Sequence, residues 1–117
     1  MGLDMYYFKA KKGESIESVA TGKTEPLGYM RKYEPAFDYY QDIAQANEPQ
    51  SIIQVYRHEV QALVDATKKF LDDHPEIVNN KEYASGVGML KNAITESQNA
   101  LDNYNEDEEN LFVVCYW

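Results

Sequence analysis

The chain has 117 residues, a formal net charge of −9 at pH 7 and a hydrophobic fraction of 44%. This length fits a single compact domain spanning residues 1–117, and the hydrophobic fraction excludes wholesale disorder. Charge is uneven along the chain: six basic and four acidic residues lie up to Lys32, and five basic and sixteen acidic residues follow. The resulting negative field disfavours nucleic acid and anionic membrane as direct partners, and it leaves open a basic protein as the partner.

Cysteine content and hydropathy predict the compartment. Cys115 is the only cysteine, which excludes an intrachain disulfide. No segment is apolar for long enough to cross a membrane, and the N-terminus lacks the apolar region of a secretion signal. We therefore expect a soluble protein in the cytoplasm, without membrane association.

The first half of the chain predicts a strand, a loop and a helix. Residues 3–11 are rich in aromatic side chains and contain neither Gly nor Pro, which is typical of a strand whose alternate residues occupy opposite faces. Residues 12–26 contain several Gly and Pro residues among polar ones and predict a long loop. A helix is expected from Glu34, because Pro35 suits a first turn in which no amide donor is needed.

The second half predicts two more helices and a closing strand. Residues 51–56 are rich in β-branched side chains and indicate either a short strand or the start of the next helix. Residues 57–73 and 87–104 carry apolar side chains at alternating steps of three and four, which predicts amphipathic helices. Residues 111–117 predict a last strand. The fold class is therefore α+β, with about three helices packed on a small antiparallel sheet of two to three strands that includes both terminal strands.

Several short motifs resemble catalytic or metal sites and lack an essential residue. The segment Thr21 to Pro26 contains Gly-Lys-Thr, but Glu17 stands where a phosphate-binding loop needs its first Gly. His58-Glu59 begins like a zinc-protease helix, but Ala62 replaces the second His. The alternating oxygen ligands that start at Asn103 lack the Gly and the last acid of a calcium loop.

The remaining reactive side chains have structural interpretations. His74 is expected at a helix C-terminus, where it interacts with free carbonyls before Pro75. Cys115 lies in an apolar strand and is expected to be inert packing. We therefore predict no catalytic residue, no cofactor and no metal.

The chain opens with Met-Gly-Leu-Asp-Met-Tyr, carries Gly28-Tyr29-Met30-Arg31-Lys32 before a predicted helix and finishes in an aromatic strand with Trp117. These three segments resemble a family of small uncharacterised proteins that are common in phages and prophages, especially of Gram-positive bacteria. Such proteins open with Met-Gly-Leu-Asp-Met-Tyr, carry Gly-Tyr-x-Arg-Lys before a helix and finish in an aromatic strand near a Trp. The residues that match are Gly2, Leu3, Asp4, Met5, Tyr6, Gly28, Tyr29, Arg31, Lys32 and Trp117. Met30 departs from the Trp that often follows Gly-Tyr. The resemblance implies a phage origin and a bacterial host cell, and it implies no particular activity.

The acidic side chains predict how such a protein acts. Arrays of carboxylates occupy basic grooves that are built for phosphates, and they use the same electrostatic steering as nucleic acid. Together with the phage origin that the resemblance implies, this chemistry leads us to expect a protein that binds and inhibits or modulates a host protein. The leading partner is a nucleic-acid-targeting defence enzyme, the target of anti-CRISPR and anti-restriction proteins. The candidate residues are Asp38, Asp42, Asp65, Asp72, Asp73, Asp102, Glu106, Asp107, Glu108 and Glu109. The last four also have a structural interpretation as a solvated turn before the last strand.

Two alternatives use other residues. The first is a small-ligand binder for an anion such as a nucleotide, with Arg31, Lys32 and Arg57 as its cations. The second is an interaction module that docks through tyrosines, or that forms a homo-oligomer through an exposed strand edge. The residues proposed for these alternative surfaces are Tyr29, Arg31, Lys32, Tyr39 and Arg57.

Overall fold

The computed structural model describes residues 3–14 and 25–117. These residues form four strands and four α-helices. The strands are β1 (Asp4–Lys11), β2 (Gly28–Arg31), β3 (Ile52–Val55) and β4 (Glu109–Tyr116). The helices are α1 (Glu34–Ala44), α2 (Arg57–Asp73), α3 (Pro75–Val78) and α4 (Ala84–Asp102), with a 3-10 turn at Lys81–Tyr83.

The strands form one antiparallel sheet in the order β2-β1-β4-β3. The two long strands, β1 and β4, are central and pair along their whole length, from Asp4 opposite Tyr116 to Lys11 opposite Glu109. The two edge strands have only four residues each. Short edges limit unwanted strand pairing, which argues against self-association through the sheet.

Alternation along the strands places side chains on two faces. Met5 and Tyr7 lie on the inner face with Met30 and Val113, and these residues belong to one buried cluster with side chains of α1, α2 and α4. The outer face carries a second buried cluster, built from Phe8, Ala10, Phe112 and Val114. Within the described ranges this second cluster contains strand residues alone, so the three long helices form a layer on the inner face.

Local signals account for the helix boundaries. Pro35 lies in the first turn of α1, and the helix ends at Gln45, whose backbone is left-handed (φ 51°) and whose N–H donates to the Gln41 and Asp42 carbonyls. The backbone N–H of Tyr56, at the start of α2, donates to the Glu59 carboxylate at 2.9 Å.

The predicted α+β class is confirmed, and the sheet is larger than expected. The structure shows a strand at Ile52–Val55, where the sequence was compatible with either a short strand or the start of the next helix. It adds β2, a strand that was not predicted because four residues carry little periodic signal. The three predicted helices are present, and the short α3 follows Pro75, where the chain was expected only to leave a helix. The central part of the predicted 12–26 loop lies outside the described residues.

No helix in the described ranges is long and apolar enough to cross a membrane.

Candidate functional site

The predicted acidic residues are distributed over three helices and one turn. Asp38 and Asp42 lie on α1, Asp65, Asp72 and Asp73 on α2, and Asp102 at the end of α4. Glu106 to Glu108 lie in the turn between α4 and β4, and Glu109 is the first residue of β4. All of them are exposed except Glu109, which is half-buried. Exposure alone therefore does not separate the candidates, and their contacts within the fold do.

On the long helices, several carboxylates are engaged by neighbours one turn away. Asp73 pairs with Lys69 at 2.6 Å. Asp65 and Asp102 accept hydrogen bonds from the side chains of Gln61 and Gln98, at 3.0 Å and 3.1 Å. Pairs at this spacing are a common way to stabilise an exposed helix face, so these carboxylates have a role within the fold.

Glu109 also has a structural role. One carboxylate oxygen lies 3.2 Å from Lys9 Nζ on the neighbouring strand, and the backbone N–H of Asn105 donates to the other oxygen at 2.8 Å. The Asn105 hydrogen bond, with a smaller contribution from Lys9, lowers the pKa of Glu109. Glu109 therefore closes the acidic turn and attaches it to the sheet, which agrees with the structural interpretation of the turn.

Five of the candidate carboxylates have neither a hydrogen bond nor an ion pair with any side chain or backbone group in the described residues, and Glu34 on α1 shares this property. The five are Asp38, Asp42, Asp72, Asp107 and Glu108. Those on α1 also form a row along one helix.

Helix α1 carries Glu34, Asp38 and Asp42 at successive steps of four, so that the three carboxylates follow one side of the helix. The helix sequence contains no Lys, Arg or His. Like charges at this spacing destabilise a helix, and Asp42 also lies in the last turn, where the helix dipole disfavours an anion. We call these three residues the acidic face of α1. Glu34, in the first turn, interacts favourably with the helix dipole. Repulsion along the row and the position of Asp42 reduce stability, and no hydrogen bond or ion pair among the described residues compensates this cost.

A pair of aromatic side chains, one of them exposed, lies beside the acidic face. Trp117 packs edge-on against Phe37 of α1, with ring centroids 5.6 Å apart and an interplanar angle of 66°. Trp117 is still 52% exposed. The pair belongs to the wall of a cavity of about 360 Å³, which we call the aromatic–acidic cavity. The cavity is lined by Leu3, Glu34, Phe37, Asp38, Pro49 and Trp117.

The residues of the predicted anionic-ligand site do not come together. Arg57 donates to the backbone carbonyls of Leu101 and Tyr104, at 3.0 Å and 3.3 Å, and its guanidinium carbon lies 4.9 Å from the centre of the Tyr104 ring. Arg57 also pairs with Glu106 at 3.5 Å. It therefore holds the end of α4 against the start of α2.

The other two cations of that prediction lie elsewhere. Arg31 and Lys32 line a different depression, of about 280 Å³, against α4. A single site that joins all three cations is therefore absent from the described part of the chain.

The tyrosines of the alternative surface are held by hydrogen bonds within the fold. The Tyr29 hydroxyl donates to Asp4 at 2.7 Å, and this bond raises the pKa of the phenol. The Tyr39 hydroxyl donates to the backbone carbonyl of Glu59 at 2.6 Å. These contacts attach strands and helices to each other, so the two side chains have structural roles.

Another cavity lies at the start of α2. It measures about 450 Å³, and its lining includes Lys12, Arg57, His58, Glu106 and Glu109. Charges of both signs are present, and Arg57 and Glu106 already pair across it. Because the lining carries both positive and negative charges, it does not indicate whether a ligand would be an anion or a cation.

Cys115 lies in a strand and His74 at a helix end, as the sequence predicts. Cys115 is buried, and burial raises the pKa of its thiol to about 11. The ring Nδ1 of His74 lies 2.8 Å from the Phe70 carbonyl, as expected for a His at a helix end. No group of three His, Cys, Asp or Glu side chains in the described ranges could hold a metal ion.

Sequence reasoning missed the aromatic–acidic cavity. It identified Asp38 as a candidate, but it treated Trp117 only as the end of a strand and did not select Glu34. The spacing of Glu34, Asp38 and Asp42 was readable from the sequence. The contact between Phe37 and Trp117 was not, because it joins residues that are 80 positions apart in the sequence.

Comparison of the chain with protein-family models, with curated proteins and with solved structures gives no match. The function therefore has to be inferred from the geometry of the site.

Proposed function

We propose that this protein binds a basic surface of another protein through the acidic face of α1 and thereby inhibits or modulates that partner. The observation that carries the proposal is the row formed by Glu34, Asp38 and Asp42, three exposed carboxylates on a helix without a basic residue. Such a row lowers the stability of the free protein. Natural proteins retain residues that lower their stability where the function requires those residues.

The leading partner is a nucleic-acid-targeting defence enzyme in the cytoplasm of a bacterial host. Such enzymes carry basic grooves for phosphates, and a row of carboxylates complements them in charge and steers the encounter. The resemblance of the sequence to phage and prophage proteins supports the same class of partner.

The first experiment captures partners of the tagged protein from nuclease-treated bacterial lysate, with washes of rising salt and mass spectrometry of each fraction. The test variant, E34Q/D38N/D42N, removes the acidic face of α1. The control variant, D65N/D72N/E76Q, removes the same number of exposed charges from α2 and α3. Both variants keep side chains of similar size, so a difference between them reports on position and not on net charge.

A purified partner then gives the decisive measurement. We expect the α1 variant to bind it about tenfold more weakly or worse, which corresponds to about 1.4 kcal/mol, and the control to bind within about twofold of the wild type. Binding should also weaken as salt rises. Equal losses in both variants, or binding that is insensitive to salt, contradict the proposal.

A small-ligand binder remains the second candidate, because the cleft at the start of α2 has a volume in the range of ligand pockets and contains Lys12 and Arg57. A thermal-shift experiment with a panel of nucleotides tests it. A concentration-dependent rise in melting temperature that is lost in Lys12→Gln supports this function, and unchanged melting temperatures across the panel exclude it.

A further inference from the structure

The aromatic–acidic cavity combines two chemical features in one lining. It includes the exposed ring of Trp117, which packs against Phe37. It also includes Glu34 and Asp38, whose carboxylates are one helical turn apart and have no partner among the described residues.

Each feature favours a cation. The face of a Trp ring attracts a positive charge through its quadrupole, more strongly than the other aromatic rings do. Two carboxylates one helical turn apart can accept hydrogen bonds from one cation, and Leu3 and Pro49 in the same lining offer apolar surface to the stem of a cationic side chain. An apolar occupant is disfavoured, because it would remove water from both carboxylates without replacing the lost hydrogen bonds.

The geometry favours a guanidinium over an ammonium or a metal ion. A guanidinium is planar, so it stacks on an indole ring and still presents N–H groups to carboxylates at its edge. An ammonium is strongly hydrated and loses more on leaving water. A metal ion needs more oxygen ligands than two carboxylates supply, and no third ligand is found in the described part of the chain.

We infer that the aromatic–acidic cavity receives an arginine side chain of the partner protein, stacked on Trp117 and hydrogen-bonded to Glu34 and Asp38. This inference rests on the proposed function, because it names the residue that the partner places on the acidic face of α1. Asp42, one turn further along, contributes attraction at longer range and lies outside the cavity lining.

The chain provides its own probe, because Trp117 is its only tryptophan. Fluorescence excited in the indole band therefore reports on this cavity alone. The wild-type protein is titrated with a capped oligo-arginine peptide and, separately, with an oligo-lysine peptide of the same length and charge. The same titrations are run on E34Q/D38N and on D65N/D72N, a control that removes two exposed acids from α2.

We expect oligo-arginine to change the Trp117 fluorescence and to bind about fivefold more tightly than oligo-lysine, since it adds stacking to charge. The E34Q/D38N substitutions should weaken binding of the arginine peptide about tenfold, and D65N/D72N should change that affinity less than about twofold. Trp117→Leu, measured by calorimetry, should remove most of the preference for arginine. Circular dichroism establishes whether each variant is folded. If the Trp117→Leu variant is unfolded, the comparison of E34Q/D38N with D65N/D72N tests the arginine site.

Two outcomes overturn the inference and leave the proposed function intact. The first is equal binding of the arginine and lysine peptides, and the second is an equal loss in the two carboxylate variants. Either one would mean that the acidic surface attracts cations without a dedicated arginine site. The proposed function fails in a separate experiment, when the E34Q/D38N/D42N variant binds the captured partner as well as its control does.

Discussion

The phenol oxygens of Tyr7 and Tyr40 lie 2.6 Å apart in the centre of the core, and both side chains are completely buried. The Tyr7 hydroxyl is also 2.7 Å from the hydroxyl of Ser97 on α4. One oxygen thus links β1, α1 and α4. No buried side-chain nitrogen or oxygen in the described ranges lacks a hydrogen-bond partner, so the core satisfies the polar groups that it encloses.

Removing this central hydroxyl should destabilise the protein. Tyr7→Phe keeps the ring but takes a partner from both Tyr40 and Ser97, so we expect a loss of about 1–3 kcal/mol in the free energy of unfolding. Urea denaturation measures it. The control is Tyr83→Phe on the exposed 3-10 turn, which should change stability by less than about 0.5 kcal/mol. A Tyr7→Phe protein as stable as the wild type would show that the network contributes nothing.

Alkaline pH should destabilise the protein through the same residue. Burial is the main cause that raises the pKa of Tyr7 from 10.0 to about 12. Between these values the unfolded chain releases the phenol proton while the native protein keeps it, so stability present below pH 10 is lost as pH rises towards 12. The expected slope is about 1.4 kcal/mol per pH unit for this group. Urea midpoints at a series of pH values measure the slope, and Tyr7→Phe should reduce it.

Two glycine-to-alanine changes should have opposite effects. A Cβ on Gly28 would lie 2.5 Å from the backbone oxygen of Glu96, so β2 and α4 would have to separate. We expect Gly28→Ala to cost about 1–3 kcal/mol. A Cβ on Gly88 of α4 meets nothing within 4 Å, and Gly88→Ala should stabilise the helix by up to about 1 kcal/mol. Thermal unfolding of the two variants distinguishes the steric clash at Gly28 from a general effect of replacing glycine with alanine.

Acid should weaken the attachment of the turn before β4. The pKa of Glu109 is lowered from 4.5, first by the Asn105 N–H and then by Lys9. Its ionised form therefore contributes stability that is present above pH 4.5 and lost as pH falls through the lower native pKa. Glu109→Gln should be less stable than the wild type at neutral pH and should lose less stability on acidification below pH 4.5. Glu108→Gln, which changes a carboxylate without a partner among the described residues, should follow the wild-type curve.

The acidic face of α1 should be a stability cost that substitution relieves. Asp42→Asn removes a like-charge neighbour of Asp38 and an anion at the helix C-terminus, so we expect a gain of about 0.3–0.5 kcal/mol. Asp73→Asn on α2 is the matched control, because it breaks the pair with Lys69 and should bring no gain. Chemical denaturation measures both. A loss of stability in Asp42→Asn would show that this carboxylate has a structural role after all.

The fold was predictable where the signal is local. Pro35 and the periodic apolar residues mark α1, and the structure begins and ends α2 at Arg57 and Asp73, the two residues that the sequence predicts. The two central strands were recognisable because each is long and apolar or aromatic. The edge strand β2 was not, because it is too short to show alternation and its pairing with β1 supplies the hydrogen bonds that define it.

The candidate site was predictable only in part. The sequence identifies Asp38 and Asp42 as acids on a helix, but the ten predicted carboxylates look alike until their contacts are known. The structure separates Glu109, which is held by Lys9, from Asp38, which has no partner in the described residues. The sequence grouped Arg31, Lys32 and Arg57 only because of their charge. The structure shows that Arg57 lines a different cavity from Arg31 and Lys32.

By itself, the sequence determined the net charge, the α+β class, the positions of the three long helices and the spacing of acids along α1, because these depend on composition or on residues within a few turns of each other. Only the tertiary structure decided that Trp117 packs on Phe37 and that Tyr7 meets Tyr40 and Ser97. Those contacts join residues far apart in the chain. They form only when the sheet and the helices pack together, and no local pattern records which side chains then meet.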